Sequence, residues 1–170
     1  MCGVLAREEI GDLIKEELPL IQGFVSLDEQ LQPNGFDLTL RELAMFDSSG
    51  QIAVKNSGRI LPALAPLVFD GIGFIDLIAG IYLVTYNEVV NLPRNVMALA
   101  RPRSSLLRCG VSIDTAVWDA GYRGRSQSLM VVYNSRGIRL QKNARVAQLV
   151  FMKLSGETEG YRGVFQNENI

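Results

Sequence analysis

The chain has 170 residues, 48% hydrophobic and 21% charged, which is enough for one domain with a sizeable core. Its net charge of −1 gives no basic bias for binding nucleic acid, so any phosphate contact must come from a few placed arginines. The absence of histidine excludes Ser-His-Asp and Cys-His catalysis and the histidine-containing zinc signature of the common nucleobase deaminases.

Cysteine content and apolar runs predict where the chain resides. The two cysteines, Cys2 and Cys109, are too few for a disulfide framework or a four-thiolate zinc site. With no recognisable secretory signal, they predict a protein of the reducing cytoplasm. The longest apolar runs, Ile60–Ala65 and Ile75–Val84, are too short or too interrupted to span a bilayer, so no membrane partner is expected.

The element pattern predicts one short helix followed by an all-β domain. Residues Arg7–Leu18 carry apolar side chains at helical spacing, and Pro19 ends the pattern. Short apolar runs separated by turn residues follow, which is typical of a sandwich, jelly roll or barrel. The candidate strands are Phe36–Leu43, Gln51–Val54, Gly80–Tyr86, Val96–Arg101, Leu129–Tyr133, Gly137–Leu140 and Ala147–Leu154. We expect a single domain over residues 1–170, with 156–170 as a polar C-terminal tail.

Two segments carry groups suited to phosphate. The stretch Arg101–Arg108 combines three arginines with the hydroxyls of Ser104 and Ser105, and guanidinium and hydroxyl groups hydrogen-bond polyphosphates well. Taken alone, it fits a solvated loop equally well. Gln148 is a polar residue in an apolar strand, so its amide needs a partner, either a phosphate oxygen or a neighbouring backbone group.

Three further segments carry carboxylates or aromatic rings. In the glycine-containing turn, Asp119 lies between Trp118 and Tyr122, where it could activate a water while Tyr122 packs on a sugar, although a plain aromatic turn fits too. Asp37 follows a turn and could hold waters around a metal ion, or it could simply begin a strand. The aromatic residues of the tail could close over a base.

Taken together and in order, these segments resemble the trimeric dUTPase and dCTP deaminase superfamily, with a mixed character similar to archaeal-type dUTPases. The matching segments are residues 35–38 (GFDL), 102–105 (PRSS), 118–124 (WDAGYRG), 144–151 (ARVAQLVF) and the aromatic tail. The resemblance implies a distorted jelly-roll subunit (a dUTPase-like β-clip) with a short N-terminal helix. It also implies a homotrimer whose active sites lie at the subunit interfaces.

The choice between the two reactions of this superfamily depends on one carboxylate. The deaminase branch moves protons with a glutamate on the strand after the glycine hairpin. The aligned position here is Leu129 or Val131, and no carboxylate occurs in residues 125–133. We therefore predict an enzyme, a dUTP diphosphatase that hydrolyses dUTP to dUMP and pyrophosphate by water attack on the α-phosphorus, with Mg²⁺ as cofactor.

The resemblance also implies the site residues. Asp119 is expected to activate the water, whereas Asp114, which lacks the family spacing to Tyr122, is expected to be structural. Magnesium is expected to be held mainly by the triphosphate, with no direct protein ligand and with Asp37 acting through water. Arg108 matches an active-site arginine of the deaminase branch, and its role here stays open. The phosphate-binding residues are Arg103, Ser104, Ser105 and Gln148, and the base- and sugar-binding residues are Trp118, Tyr122, Tyr161, Arg162, Phe165 and Gln166.

Other functions stay open at this stage. Within the superfamily, the chain could be a dCTP deaminase or an enzyme that performs both reactions. Outside it, a non-catalytic β trimer that binds nucleotide is the alternative. A β-barrel that binds nucleic acid is disfavoured because the net charge is slightly negative.

Overall fold

The computed structural model describes residues 3–170 as a mostly β structure with three short helices, and Cys2 lies outside the described residues. The helices are α1 (Arg7–Ile14), α2 (Leu27–Gln30) and α3 (Ser104–Arg108). The strands are β1 (Gly3–Val4), β2 (Ile21–Gln22), β3 (Leu31–Gln32), β4 (Gly35–Phe46), β5 (Leu64–Pro66), β6 (Phe74–Leu77), β7 (Gly80–Tyr86), β8 (Val89–Asn91), β9 (Val96–Pro102), β10 (Val111–Asp114), β11 (Arg123–Gly124), β12 (Gln127–Val132), β13 (Ile138–Gln141) and β14 (Arg145–Lys153). Within residues 3–170, no helix has the length and hydropathy that crossing a membrane requires.

A nine-stranded sheet forms most of the fold. Its main path runs β1-β14-β4-β7-β12-β10, with β3 and β5 also paired to β4 and with β9 paired to β14. A three-stranded sheet, β11-β8-β2, and a two-stranded sheet, β13-β6, complete the strand pairing. All of the named strand pairs are antiparallel, which agrees with the predicted all-β class.

The core lies where β4 pairs with β14. In β4, apolar residues alternate with polar ones, so Phe36, Leu38 and Leu40 share one face while Asp37 and Thr39 share the other. All five are at most 1% exposed, so both faces of this stretch are covered. The pairing strand contributes further fully buried apolar side chains to the same core. β4 is therefore a central strand that carries a polar pair inside the molecule.

The predicted helix begins where expected but ends four residues early. It runs over Arg7–Ile14, and the four residues after it are bends. The amide of Lys15 bonds to Asp12, and Leu20 N donates to Leu13 O at 2.9 Å, which turns the chain back. Leu18 is 60% exposed, so it does not extend the buried helix face, and the prediction that the helix reaches this residue was wrong.

The predicted strand Gln51–Val54 was also wrong. Only Gln51 is paired, through a single bridge to Ile60, and Ile52 and Val54 are among the most exposed apolar residues of the chain. A strand needs a partner along its length and a buried face, and this loop supplies neither. The other six predicted strands correspond to β4, β7, β9, β12, β13 and β14, with boundaries that differ by at most three residues.

A buried polar network joins the start of β4 to the turn before β8. Glu88 is fully buried, and its Oε1 accepts hydrogen bonds from Gln30 Nε2 at 2.7 Å and Thr39 Oγ1 at 2.5 Å. Its Oε2 accepts one from the Thr39 amide at 2.9 Å. Gln30 Nε2 also donates to the main-chain oxygen of Asp37 at 2.8 Å. Burial raises the pKa of Glu88, and the hydrogen bonds from Thr39 and Gln30 oppose that rise.

We expect Glu88→Gln to lower the free energy of unfolding by about 1–3 kcal/mol at mildly acidic pH. A protonated carboxyl group still has an accepting lone pair on each oxygen, whereas the NH₂ group of an amide cannot accept and in either orientation faces a donor, Gln30 Nε2 or the Thr39 amide. Chemical denaturation followed by circular dichroism measures the change. Glu157→Gln, at an exposed glutamate, is the matched control.

The same pair of variants tests a pH dependence. Because the folded protein holds the Glu88 proton more tightly than the unfolded chain, this stabilisation is complete below the ordinary carboxyl pKa. It is lost as pH rises through the raised pKa of Glu88. The stability advantage of wild type over Glu88→Gln should therefore shrink with rising pH, and an advantage that stays constant would contradict this account.

Candidate active site

A buried carboxylate with two guanidinium partners forms the first part of the site. The Asp37 carboxylate is fully buried and forms an ion pair with Arg103, while Arg145 Nη1 lies 3.6 Å from its Oδ2. Oδ1 accepts no hydrogen bond from the described residues. Burial and, secondarily, the charge of Arg145 lower the pKa of Arg103. Two cations beside one anion leave this cluster with an excess positive charge.

A β-bulge in β14 creates this cluster. Arg145 pairs with Thr39 and Gln148 pairs with Asp37, with the register shift between Arg145 and Ala147. In a regular strand, residues three apart lie on opposite faces, whereas the extra residue brings Arg145 and Gln148 to the same face. We call Asp37, Arg103, Arg145 and Gln148 the phosphate cluster.

The backbone of β4 approaches Gln148 closely. A Cβ on Gly35 would lie 2.4 Å from Leu149 O and 3.0 Å from Gln148 Nε2, so only glycine fits there. The two serines predicted to bind phosphate, Ser104 and Ser105, are exposed at the start of α3, directly after Arg103. A solvated loop was one interpretation of this stretch, and the structure instead forms a short helix over Ser104–Arg108. The structure thus brings the predicted phosphate-binding residues to one end of β9 and β14.

The second part of the site is a cavity of 480 Å³, within the range of about 300–1,000 Å³ usual for small-molecule sites. Trp118, Asp119 and Tyr122 line it, as do Ser126 and Gln127 from the following segment. Trp118 Nε1 is buried without a hydrogen-bond partner among the described residues, so a ligand acceptor would satisfy it. We call this the aromatic cavity.

The turn that carries Asp119 is held against the rest of the chain. Trp118 pairs with Ala98 of β9, and the Tyr122 amide donates to Asp119 O at 3.0 Å to close the turn. Gly121 has φ +82, and a Cβ there would lie 2.7 Å from Gly160 Cα in the tail. The glycine predicted to allow a tight hairpin therefore also lets the tail approach it.

The C-terminal segment packs on this turn in the same chain. Tyr161 and Phe165 line the aromatic cavity, and the rings of Tyr161 and Tyr122 meet edge to face with centroids 5.8 Å apart. Gln166, predicted to bind the nucleotide, uses both ends of its amide on the Arg123 amide and Gly121 O. Arg162 lies outside the cavity and pairs with a tail glutamate at 3.3 Å. Tyr161 and Phe165 therefore line the cavity, whereas Gln166 attaches the tail to the turn.

Sequence reasoning missed two charged residues. Arg145 reaches Asp37 only because of the bulge, which no sequence pattern marks. Glu168, two residues before Ile170, accepts a 2.7 Å hydrogen bond from Tyr122 Oη and lines the aromatic cavity. Its pKa is raised by burial, and the hydrogen bond from Tyr122 opposes the rise. Arg145 lies inside the matching segment 144–151 but was not among the predicted site residues, and Glu168 lies in the tail, so only tertiary contacts reveal what these two side chains touch.

The phosphate cluster and the aromatic cavity are separate within one chain. Trp118 bridges Ala98 in β9, and Arg103 lies five residues further along the same extended segment. At a rise of about 3.3 Å per residue, the two points are about 16 Å apart. Most of the predicted site residues therefore fall into two groups, and no residue of the phosphate cluster lines the aromatic cavity.

The described residues of one chain do not build a metal site. In residues 3–170, no group of three or more His, Cys, Asp or Glu side chains is arranged to hold an ion. Asp37, expected to act through metal-bound water, contacts two guanidiniums instead. Its water-mediated role and the magnesium cofactor both stay predictions.

Comparison with known proteins gives both sequence and structural relatives. Two archaeal proteins named "Probable deoxyuridine 5'-triphosphate nucleotidohydrolase" are similar over 98% of this chain and 98% of their own length. One is from Methanosarcina mazei at 51% identity and one from Archaeoglobus fulgidus at 49%. A crystal structure of 2'-deoxycytidine 5'-triphosphate deaminase from Agrobacterium tumefaciens superposes with a TM-score of 0.67 at 23% identity over 89% of this chain. The chain spans about half (49%) of that protein, and the likeness shows the fold alone.

The family model described as "dCTP deaminase-like" matches residues 4–154, a range that includes β4, β9, the Asp119 turn and β14. These elements carry four of the five segments on which the resemblance was based, so that prediction is confirmed. The chain belongs to the dCTP deaminase-like family.

Proposed function

We propose that the chain is a dUTP diphosphatase that hydrolyses dUTP to dUMP and pyrophosphate. The observation that carries this proposal is the Asp119 carboxylate on the wall of an aromatic cavity of nucleoside size. The archaeal relatives at about half identity bear the name of this activity. The chain has no histidine, and the other carboxylate that lines the cavity, Glu168, is engaged by Tyr122, so Asp119 is the better candidate base for a water.

Asp119 is proposed to act as the general base. Its carboxylate orients a water and takes its proton while the water oxygen attacks the α-phosphorus and the bond to the bridging oxygen breaks. Pyrophosphate leaves, and the proton passes from Asp119 to solvent. The neighbouring Trp118 and Tyr122 rings hold base and sugar, and the unpaired Trp118 Nε1 offers a donor to the nucleotide.

The phosphate cluster is proposed to bind the triphosphate. Arg103, with Ser104, Ser105 and Gln148, would hold phosphate oxygens, and Arg145 adds a second guanidinium. Asp37 orients both arginines from its buried position. The substrate is proposed to be the magnesium complex of dUTP, in which the ion neutralises part of the phosphate charge.

A homotrimer is proposed to unite the two incomplete sites. Because one chain separates the phosphate cluster from the aromatic cavity, the cavity of one subunit would face the cluster of a neighbour, as a heterologous ring allows. The jelly-roll description of the subunit and closure of the tail, 156–170, over the nucleotide belong to this proposal. We also place the activity in the cytoplasm, where Cys109 would stay a free thiol.

Deamination of dCTP is the second candidate, because the family model carries that name. The segment after the hairpin contributes Ser126 and Gln127 to the cavity, and neither side chain can shuttle a proton. Besides Asp119, the cavity wall includes one carboxylate, Glu168, and this group is engaged by Tyr122. The second candidate therefore depends on Glu168 acting in place of the missing strand glutamate.

Product analysis with magnesium separates these candidates. We expect dUMP and pyrophosphate from dUTP and no product from dCTP, measured by ion-pair chromatography on the purified protein. Appearance of dUTP or dUMP from dCTP would establish the deaminase or bifunctional reading. Tight nucleotide binding without any product would instead identify a non-catalytic trimer.

We expect Asp119→Asn to lower kcat for dUTP by about 10²–10⁴-fold, because the amide cannot take the proton of the attacking water. Nucleotide affinity should persist, and the fluorescence of Trp118, the single tryptophan, reports it. Asp114→Asn is the matched control, since Asp114 is an exposed aspartate of β10 that does not line the cavity. Near-wild-type turnover by Asp119→Asn would remove Asp119 from this role.

Subunit complementation tests the shared site. We expect Asp119→Asn and Arg103→Ala to be inactive alone and active when co-expressed with different affinity tags. If cavity and cluster come from neighbouring chains, random mixing restores about 1/2 × 1/2, or about a quarter, of wild-type activity. A mixture as inactive as either parent would place both groups in a site within one chain.

A further inference from the structure

Glu168 occupies the point where the C-terminal segment meets the aromatic cavity. Its Oε1 accepts the Tyr122 hydroxyl at 2.7 Å, and its main-chain oxygen accepts the Arg125 amide at 2.9 Å. A parallel bridge pairs it with Gly124, and the neighbouring Asn167 amide donates to Arg123 O at 2.7 Å. Main chain and side chain of Glu168 thus make different contacts.

The segment is also attached by contacts that do not involve the Glu168 side chain. Besides those of Glu168 and Asn167, the Tyr161 amide donates to Ala120 O at 2.8 Å, and Asn169 Nδ2 donates to Arg125 O at 2.9 Å. These contacts do not require a carboxylate at position 168. The Glu168 side chain instead accepts the hydrogen bond of the Tyr122 hydroxyl, so its effect is on the position of Tyr122.

Tyr122 is held in one orientation by its surroundings. Its side chain is buried, and burial raises the pKa of its phenol, so the hydroxyl keeps its proton and acts as the donor. A Cβ on Gly124 would lie 2.6 Å from Tyr122 Oη, so the backbone closely confines one side of the hydroxyl. Tyr161 packs edge-on against the ring. Glu168 is the acceptor that fixes the remaining direction of the hydroxyl.

We propose that Glu168 is a positioning residue that sets sugar specificity, because its carboxylate locks the Tyr122 ring against the place where deoxyribose packs. This inference rests on the proposed function of the cavity as the dUTP site. A locked ring leaves no room for a 2′-hydroxyl, whereas a ring freed from Glu168 can turn and admit UTP. The carboxylate thereby contributes to discrimination without touching the nucleotide.

The test compares Glu168→Leu, which removes the acceptor, with Glu168→Gln, whose amide oxygen still accepts from Tyr122. We expect Glu168→Leu to lower the ratio of kcat/KM for dUTP over UTP about ten-fold, mainly through a lower KM for UTP. Glu168→Gln should stay within about two-fold of wild type, the scale expected when an acceptor is retained. Tyr122→Phe should reproduce the loss, and adding Glu168→Leu to it should change the ratio no further.

Two controls separate specificity from tail attachment. Glu157→Leu removes an exposed tail carboxylate that does not line the cavity and should leave the ratio unchanged. Hydrogen exchange at the Arg125 and Asn167 amides should stay slow in Glu168→Leu, because their main-chain bonds remain. A Glu168→Leu variant that loses both substrates equally, or exposes these amides, would show that Glu168 only anchors the tail and would overturn the proposal.

Failure of the proposed function would be visible separately. If wild type does not hydrolyse dUTP, the same comparison is made by titrating Trp118 fluorescence with dUTP and UTP, and a ratio unaffected by Glu168→Leu again overturns the inference. Conversion of dCTP by wild type that is lost in Glu168→Gln would make Glu168 a proton shuttle. That outcome would replace the positioning role with a catalytic one.

Discussion

The antiparallel pairing of β4 with β14 sets the register at the centre of the nine-stranded sheet. Burial of Phe36, Leu38 and Leu149 fixes its register, because a slip of one residue would turn these side chains away from the core. The same register places Gln148 opposite Asp37. Hydrophobic burial, which has no chemical role in the site, thus determines where the functional polar groups stand.

The two buried carboxylates beside this pairing, Asp37 and Glu88, are tolerated because charged or polar side chains contact them. Asp37 contacts two guanidiniums, and its main-chain oxygen is tied through Gln30 to the buried Glu88. A buried carboxylate without such partners would be strongly destabilising. The network joins the start of β4 to the turn before β8, so the support of the phosphate cluster extends well beyond the residues that would touch a substrate.

The division of the site explains why a single chain looks chemically incomplete. The aromatic cavity carries one candidate base and several rings, whereas the arginines that could bind a triphosphate belong to the phosphate cluster, which does not line this cavity. In the proposed homotrimer, activity would therefore depend on assembly, because the cavity of one subunit would face the cluster of a neighbour. The C-terminal segment adds Glu168 to the cavity and makes the end of the chain part of its wall.

Short apolar runs and turn residues were enough to predict the β class and six of the strands, and apolar side chains at helical spacing predicted the start of the helix. The ordered motifs predicted the family. All of these signals can be read from the sequence without knowledge of tertiary contacts. The sequence also identified Asp119, Tyr122, Arg103 and Gln148 as candidates, although not their arrangement. Only the tertiary structure revealed the contacts of Arg145 and Glu168, because neither a β-bulge nor a tail that folds back on the domain produces a periodic sequence pattern. It also removed the strand expected at Gln51–Val54, because strand formation needs a partner that local propensity cannot supply.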